Sequence, residues 1–176
     1  MLEIRRWRPD DDLARLIEVG LAADRLFAEQ GLTLPVDDQP DEFLAAEHVL
    51  VAGTPAVGYA VVNTVDGHAH LAELGVHPDF GRQGIGSGLL AAACRLGTDL
   101  GRSAITLTTF VDVPFNAPWY TARGFTVLPR EAWGPELRDQ WAAEVAAGIV
   151  VAPRTAMICP LPVGSHARVG RPHAPA

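Results

Sequence analysis

Apolar and polar positions along the chain change period several times, and each change marks an element. Leu2-Glu3-Ile4-Arg5-Arg6-Trp7 alternates, as a half-buried first strand does, and Pro9-Asp10-Asp11-Asp12 then supplies a helix start with acidic residues at its positive end. The stripe Leu13, Leu16, Ile17 and Val19 predicts a helix to about Gly20, and Ala22 to Glu29 continues as a second helical pattern ending near Gly31. Residues 32–43, rich in Pro and Asp, read as a loop. His48 to Ala52 and Ala56 to Thr64 form a hairpin about Gly53-Thr54-Pro55. Asp66-Gly67 turns the chain into a third strand, His68 to Val76.

The second half changes rhythm. Apolar residues at Ile85, Leu89, Ala93, Leu96 and Leu100 mark a helix stopped by Gly101, followed by a strand from Ala104 to Phe110. A helix between two strands implies parallel neighbours joined by a right-handed crossover. Asn116 is placed to cap a short helix with Pro118 in its first turn, and Gly124 ends it before a strand over 125–128. Leu137, Trp141 and Val145 predict a helix over 135–147, and Thr155 to Pro160 a last strand. Residues 164–176 carry little apolar content and read as a disordered tail, which leaves one domain over 1–163.

Composition narrows the class of function. At 176 residues, 48% hydrophobic and 20% charged, the chain suits a single globular core. A net charge of −7 without a Lys/Arg cluster argues against a nucleic-acid partner. No apolar run is long enough for a membrane span, and the N-terminus lacks a signal-peptide core, so a cytoplasmic location without a membrane partner is expected. Cys94 and Cys159 are too few for a disulfide framework and lack metal-ligand spacing, and no metal is expected; Cys94 lies on an apolar stripe.

The most informative stretch follows the third strand. Gly81-Arg82-Gln83-Gly84-Ile85-Gly86-Ser87-Gly88 leads into a helix, an order that aims several backbone N–H groups and a helix dipole at one anion. A Walker loop needs Lys and Ser or Thr after its last Gly, whereas Gly86 is followed by Ser87 and Gly88. The dinucleotide fingerprint needs Gly or Ala where Leu89 stands. Neither common phosphate motif is present.

The loop resembles the central signature of the GNAT superfamily of acyl-CoA-dependent N-acetyltransferases: Gln or Arg, two residues, Gly, one residue, then Gly or Ala. Gly84-Ile85-Gly86 supplies its glycines. Gly81 stands in place of the first Gln or Arg, and a second register, Gln83, Gly86 and Gly88, also fits. Asn116-Ala117-Pro118-Trp119-Tyr120 followed by Arg123-Gly124-Phe125 is similar to a second family motif. The resemblance implies an α/β (α+β) fold of three layers. Its mixed, mostly antiparallel sheet is splayed between two parallel strands and flanked by helices.

The resemblance also implies chemistry. Acetyl-CoA is the co-substrate, held by Leu74, Gly75 and Val76 of the strand, by Gly81, Arg82, Gln83, Gly84, Ile85, Gly86 and Ser87 of the loop, and by Asn116. An alkyl ammonium of pKa about 10.4 is neutral in about one molecule in 2,500 at pH 7, a deficit of about 4.6 kcal/mol, so a base is useful. Glu73 is the candidate base and Asp112 the runner-up. The backbone N–H of Gly75 or Val76 would stabilise charge on the thioester oxygen, with Gly75 marking a bulge that opens the gap. Tyr120 is the candidate acid for the leaving thiolate. Phe27, Glu29 and Gln30 belong to the segment that flanks the acceptor cleft, and His77 reads as a turn residue. The expected acceptor is a primary amine of a small molecule; a protein N-terminus or lysine, or a non-catalytic acyl-CoA-binding role, are the alternatives. Similar proteins are often homodimers.

Overall fold

The computed structural model describes residues 2–37 and 40–163. Among these residues, seven strands form one sheet: β1 (Ile4–Arg6), β2 (His48–Ala52), β3 (Gly58–Val65), β4 (His68–Val76), β5 (Ala104–Phe110), β6 (Thr126–Val127) and β7 (Arg154–Pro160). Their spatial order is β1-β2-β3-β4-β5-β7-β6, with all neighbours antiparallel except β4 and β5. Five α-helices flank it: α1 (Leu13–Glu29), α2 (Asp41–Ala45), α3 (Ile85–Asp99), α4 (Ala117–Thr121) and α5 (Pro135–Ala146).

The expected crossover is present, since α3 carries the chain from β4 to its parallel neighbour β5. Those two strands pair only at Ala69 with Ile105 and His70 with Thr106, and beyond that point they part. The bulge that accompanies the parting lies at Ala72 and not at Gly75. Val61 faces Glu73 while Val62 faces Leu71, so Ala72 is the extra residue on β4. Gly75 has another reason to be glycine: it pairs with Tyr59, and a Cβ there would sit 2.9 Å from the Tyr59 ring.

The bulge resets which side chains face which layer. Leu74 and Val76 join the core built on α3, with Leu89, Ala93 and Leu96 against Leu71, Ile105 and Leu107. Glu73 turns the other way, toward Tyr59, in the core where Leu16 and Val19 of α1 pack on Val49, Val51 and Val61. A third cluster seats Leu137 of α5 with Trp133, Val65 and Ala156.

Several local expectations change. The two helical patterns at the N-terminus are one continuous α1, capped by Asp12, whose carboxylate accepts the Arg15 N–H at 3.2 Å. Gly20 lies inside it and is no stop: a Cβ there would approach the Tyr59 hydroxyl to 2.7 Å, so close packing explains the glycine. The real stop is Gly31 at φ +76°, where Leu32 N–H returns to Phe27 O at 3.0 Å. The end of the expected loop over 32–43 winds into α2 because Phe43 inserts into the core beside Tyr59. Leu100 and Val145, expected on apolar stripes, are 40% and 54% exposed at the outer ends of α3 and α5. The expected tail, residues 164–176, lies outside the described residues.

Helix α5 is closed by a distant residue. Its N-cap position, Gly134, has no side chain, and Asp66 from the β3–β4 turn accepts N–H bonds from Glu136 and Leu137, each at 3.0 Å. Glu136 answers by accepting the Asp66 N–H.

Candidate active site

Where β4 and β5 part, a cavity of about 860 Å³ opens between the C-terminal half of α1, the end of β4, the glycine loop and α4. One wall is the loop. Gly84, at φ +79°, is the N-cap of α3, and no side chain caps the helix, which leaves its first-turn N–H groups for an external acceptor. Gly86 faces the cavity with Val76 and Trp119 about it, and a Cβ would meet them at 3.8 and 3.9 Å. Gly88 is different, because a Cβ there would lie 2.9 Å from Ile4 on β1; it is a packing glycine. The register built on Gly84 and Gly86 is thus the one at the cavity, whereas the one ending at Gly88 is split between cavity and core.

Two guanidinium groups supply positive charge. Arg82, at φ +59°, and Arg123 both line the cavity. Arg123 stacks 3.7 Å over the Trp119 ring, donates to Trp119 O at 3.0 Å and reaches Ser87 Oγ at 3.0 Å, so it ties α4 to the start of α3. Backbone donors, a helix end and two arginines suit a diphosphate, and the adjoining apolar wall suits a thiol-bearing arm; these residues fit coenzyme A.

Tyr120 and Asn116 stand across the cavity on and before α4. Tyr120 is 8% exposed, held edge-on by Trp119 at 5.0 Å and Phe125 at 5.4 Å. Burial raises its pKa above the usual phenol value, with Arg123 opposing. Asn116 occupies the N-cap position of α4 without capping it; its Oδ1 accepts the Phe110 N–H at 3.4 Å and pins α4 to the end of β5. Phe27, Glu29 and Gln30 of α1 line the opposite end, where Phe27 meets Phe115 at 5.1 Å and Phe110 at 5.5 Å.

The cavity therefore brings together Leu74, Val76, Gly81, Arg82, Gly84 and Ile85 with Gly86, Ser87, Asn116 and Tyr120. Gly75 and Gln83 are not among its lining residues, and Glu73 lies on the other face of β4. There Glu73 accepts a hydrogen bond from the Tyr59 hydroxyl. Desolvation pushes its pKa up to about 8, the charge of Glu42 adds to this, the Tyr59 bond opposes it, and Asp24 and Asp37 raise it further. Glu42 in turn is raised by desolvation and by Asp37, while a hydrogen bond with Glu73 lowers it. Asp112 is exposed and lines a separate cavity of about 120 Å³ with Gln30 and Phe110. His77 caps the turn over 78–80, accepting the Asp79 N–H at 3.3 Å.

Sequence reasoning missed Tyr59, Glu42 and Asp24, for which no motif speaks. Arg123 did carry a signal, since it sits inside the second motif next to Gly124.

Comparison with known proteins places this geometry. The acetyltransferase (GNAT) family model matches residues 6–125, more than half of the chain. Among solved structures, a GNAT-family acetyltransferase from Staphylococcus aureus is 17% identical with a TM-score of 0.68, over 92% of this chain and 100% of that one. The PaiA N-acetyltransferase of Thermoplasma acidophilum, solved with coenzyme A, is 17% identical with a TM-score of 0.64, over 91% and 99%. An N-acetylglutamate synthase from Neisseria gonorrhoeae, solved with coenzyme A and N-acetyl-glutamate, is 19% identical with a TM-score of 0.67; the match covers 92% of this chain and 35% of that one. With the family model matched over more than half of its length, the chain belongs to the GNAT acetyltransferase family.

Proposed function

We propose that the protein transfers the acetyl group of acetyl-CoA to a primary amine of a small molecule, by direct attack while both substrates are bound. One observation carries the reading. At the parting of β4 and β5, consecutive residues of β4 face opposite sides: Leu74 toward the cavity with the phosphate-suited loop, Glu73 toward the α1 and α2 side of the sheet, where Asp24 and Glu42 stand close enough to act on it. A thioester entering from the first side meets an amine entering from the second.

Each group has a task. The carboxyl groups of Glu73, Asp24 and Glu42, gathered on that side, favour an ammonium over a neutral or anionic acceptor. Glu73, with a pKa raised to about 8, takes the proton that must leave before the nitrogen attacks. A donor to the thioester oxygen comes from β4 backbone. His77 N–H bonds to Val57 O, so by strand alternation Gly75 also points to β3 while Val76 points to the gap; of the two candidate donors, Val76 is favoured. Tyr120 faces the leaving sulfur. Because burial raises its pKa, full transfer to a thiolate of pKa about 8.5 is less favourable than for a free phenol, and a hydrogen-bond donor role fits better.

The test is release of free coenzyme A thiol from acetyl-CoA in the presence of a panel of small primary amines. Amine-dependent release is expected. If acetyl-CoA binds and no amine in the panel, or a lysine peptide in its place, promotes release, transfer is excluded and a binding role replaces it.

A further inference from the structure

Tyr59 of β3 is 1% exposed, and three elements enclose its ring. Phe43 of α2 packs edge-on at 4.9 Å and 78°. On α1, Gly20 faces it, where a Cβ would stand 2.7 Å from the Tyr59 hydroxyl and 3.8 Å from Glu73 Oε1. On β4, Gly75 lies under the ring, where a Cβ would come within 2.9 Å of it. Any side chain at position 20 or 75 would thus displace the ring or its hydroxyl. Two glycines on separate elements clear space for one phenol, and that phenol ends on the Glu73 carboxylate.

We infer that Tyr59 is a positioning residue for Glu73: its hydroxyl holds Oε1 and, with the Glu42 hydrogen bond on the same carboxyl group, fixes the orientation in which Glu73 accepts the proton. This rests on the reading of Glu73 as the base. A phenylalanine would fill the same core space, and the hydroxyl therefore needs a reason of its own; a buried O–H requires an acceptor, and Glu73 is the acceptor supplied. The groups that act on Glu73 come from every element packed on it: Asp24 from α1, Asp37 from the segment before α2, Glu42 from α2 and Tyr59 from β3. The three carboxyl groups disfavour its ionised form. Among the described residues acting on it, Tyr59 alone favours that form, through its hydrogen bond.

The experiment is a carbon-13 NMR titration of protein labelled at the glutamate side-chain carboxyl, with the Glu73 signal assigned by its loss in Glu73→Gln. Tyr59→Phe is expected to raise the Glu73 midpoint by about one pH unit or more, since it removes a hydrogen bond to a charged group. Gly20→Ala keeps the phenol but crowds its hydroxyl, and should move the midpoint the same way. An unchanged or lower midpoint in folded Tyr59→Phe overturns the inference; should that variant not fold, Gly20→Ala decides it on the same criterion. The base assignment is tested apart, by amine-dependent thiol release in Glu73→Gln: unchanged release overturns that assignment and the catalytic meaning of Tyr59 with it, whatever the titration shows.

Discussion

Asp66 and Glu136 cap one another across 70 positions of sequence: Asp66 Oδ1 accepts the Glu136 N–H at 3.0 Å, and the Glu136 carboxylate accepts the Asp66 N–H. The turn between β3 and β4 thus provides the N-cap that α5 lacks within its own segment. Gly134 is part of the arrangement, because a Cβ there would fall 2.3 Å from the Asp66 carboxyl. Asp66→Ala should lower stability by about 1–2 kcal/mol, a fall in Tm of roughly 2–8 °C, with acetyl-CoA binding unchanged. Thermal unfolding with and without acetyl-CoA checks both parts.

Saturating acetyl-CoA should raise the Tm of the wild-type protein. At 100 times the Kd, linkage is worth about 2.7 kcal/mol, or roughly 5–10 °C for a domain of this size. Gly86→Trp would fill the space beside Val76 and Trp119 and should abolish the shift. A full shift in that variant would move the coenzyme away from the loop.

Arg123→Ala removes a guanidinium that lines the cavity and ties Trp119 to Ser87. Loss of one charge-assisted contact predicts about tenfold weaker coenzyme A binding, and weaker still at low ionic strength relative to wild type. Calorimetric titration at two salt concentrations measures it.

Tyr120→Phe keeps the ring between Trp119 and Phe125 and deletes only the hydroxyl. Turnover should drop about 10²-fold while acetyl-CoA affinity holds, the pattern for a contact made to the leaving group. An unchanged kcat would return Tyr120 to the core.

His70 and Glu73 give opposite slopes of stability against pH. His70 is 1% exposed, with Nδ1 2.9 Å from Thr106 Oγ1, and burial lowers its pKa to about 4. Its folded value lies below the unfolded one, so its contribution is complete above about pH 6.5 and is lost as pH falls toward about 4. Glu73 is the reverse: a folded value raised to about 8 means its contribution is complete below about pH 4.5 and is lost as pH rises through 8. Urea unfolding of His70→Gln should show less acid destabilisation than wild type, and Glu73→Gln should gain on wild type from pH 5 to 9.

Strands were legible wherever β-branched residues alternate or cluster, and His48–Ala52, His68–Val76 and Ala104–Phe110 have the bounds their pattern predicts. The glycine loop was legible because its chemistry is local, a run of small residues between a strand and a helix. Gly20 was not, since glycine looks the same in sequence whether it ends a helix or lets a phenol approach one. Tyr59 and Glu73 meet diagonally across a hairpin that contains a bulge, and only the register with Ala72 looped out puts the hydroxyl on the carboxylate. Glu42 and Asp66 likewise act on partners that no spacing announces.

Two rungs of backbone hydrogen bonding join the halves of this sheet, and His70 with Thr106 is the last of them. Past that rung the separation of β4 from β5 is set by whatever side chains stand between and around them, Leu74, Val76 and Phe115 included. For selection this separates two variables that a fully laced sheet ties together. The aperture can be resized by single substitutions while the ladder that holds the domain together stays intact, so the width of the opening and the stability of the scaffold are free to evolve apart.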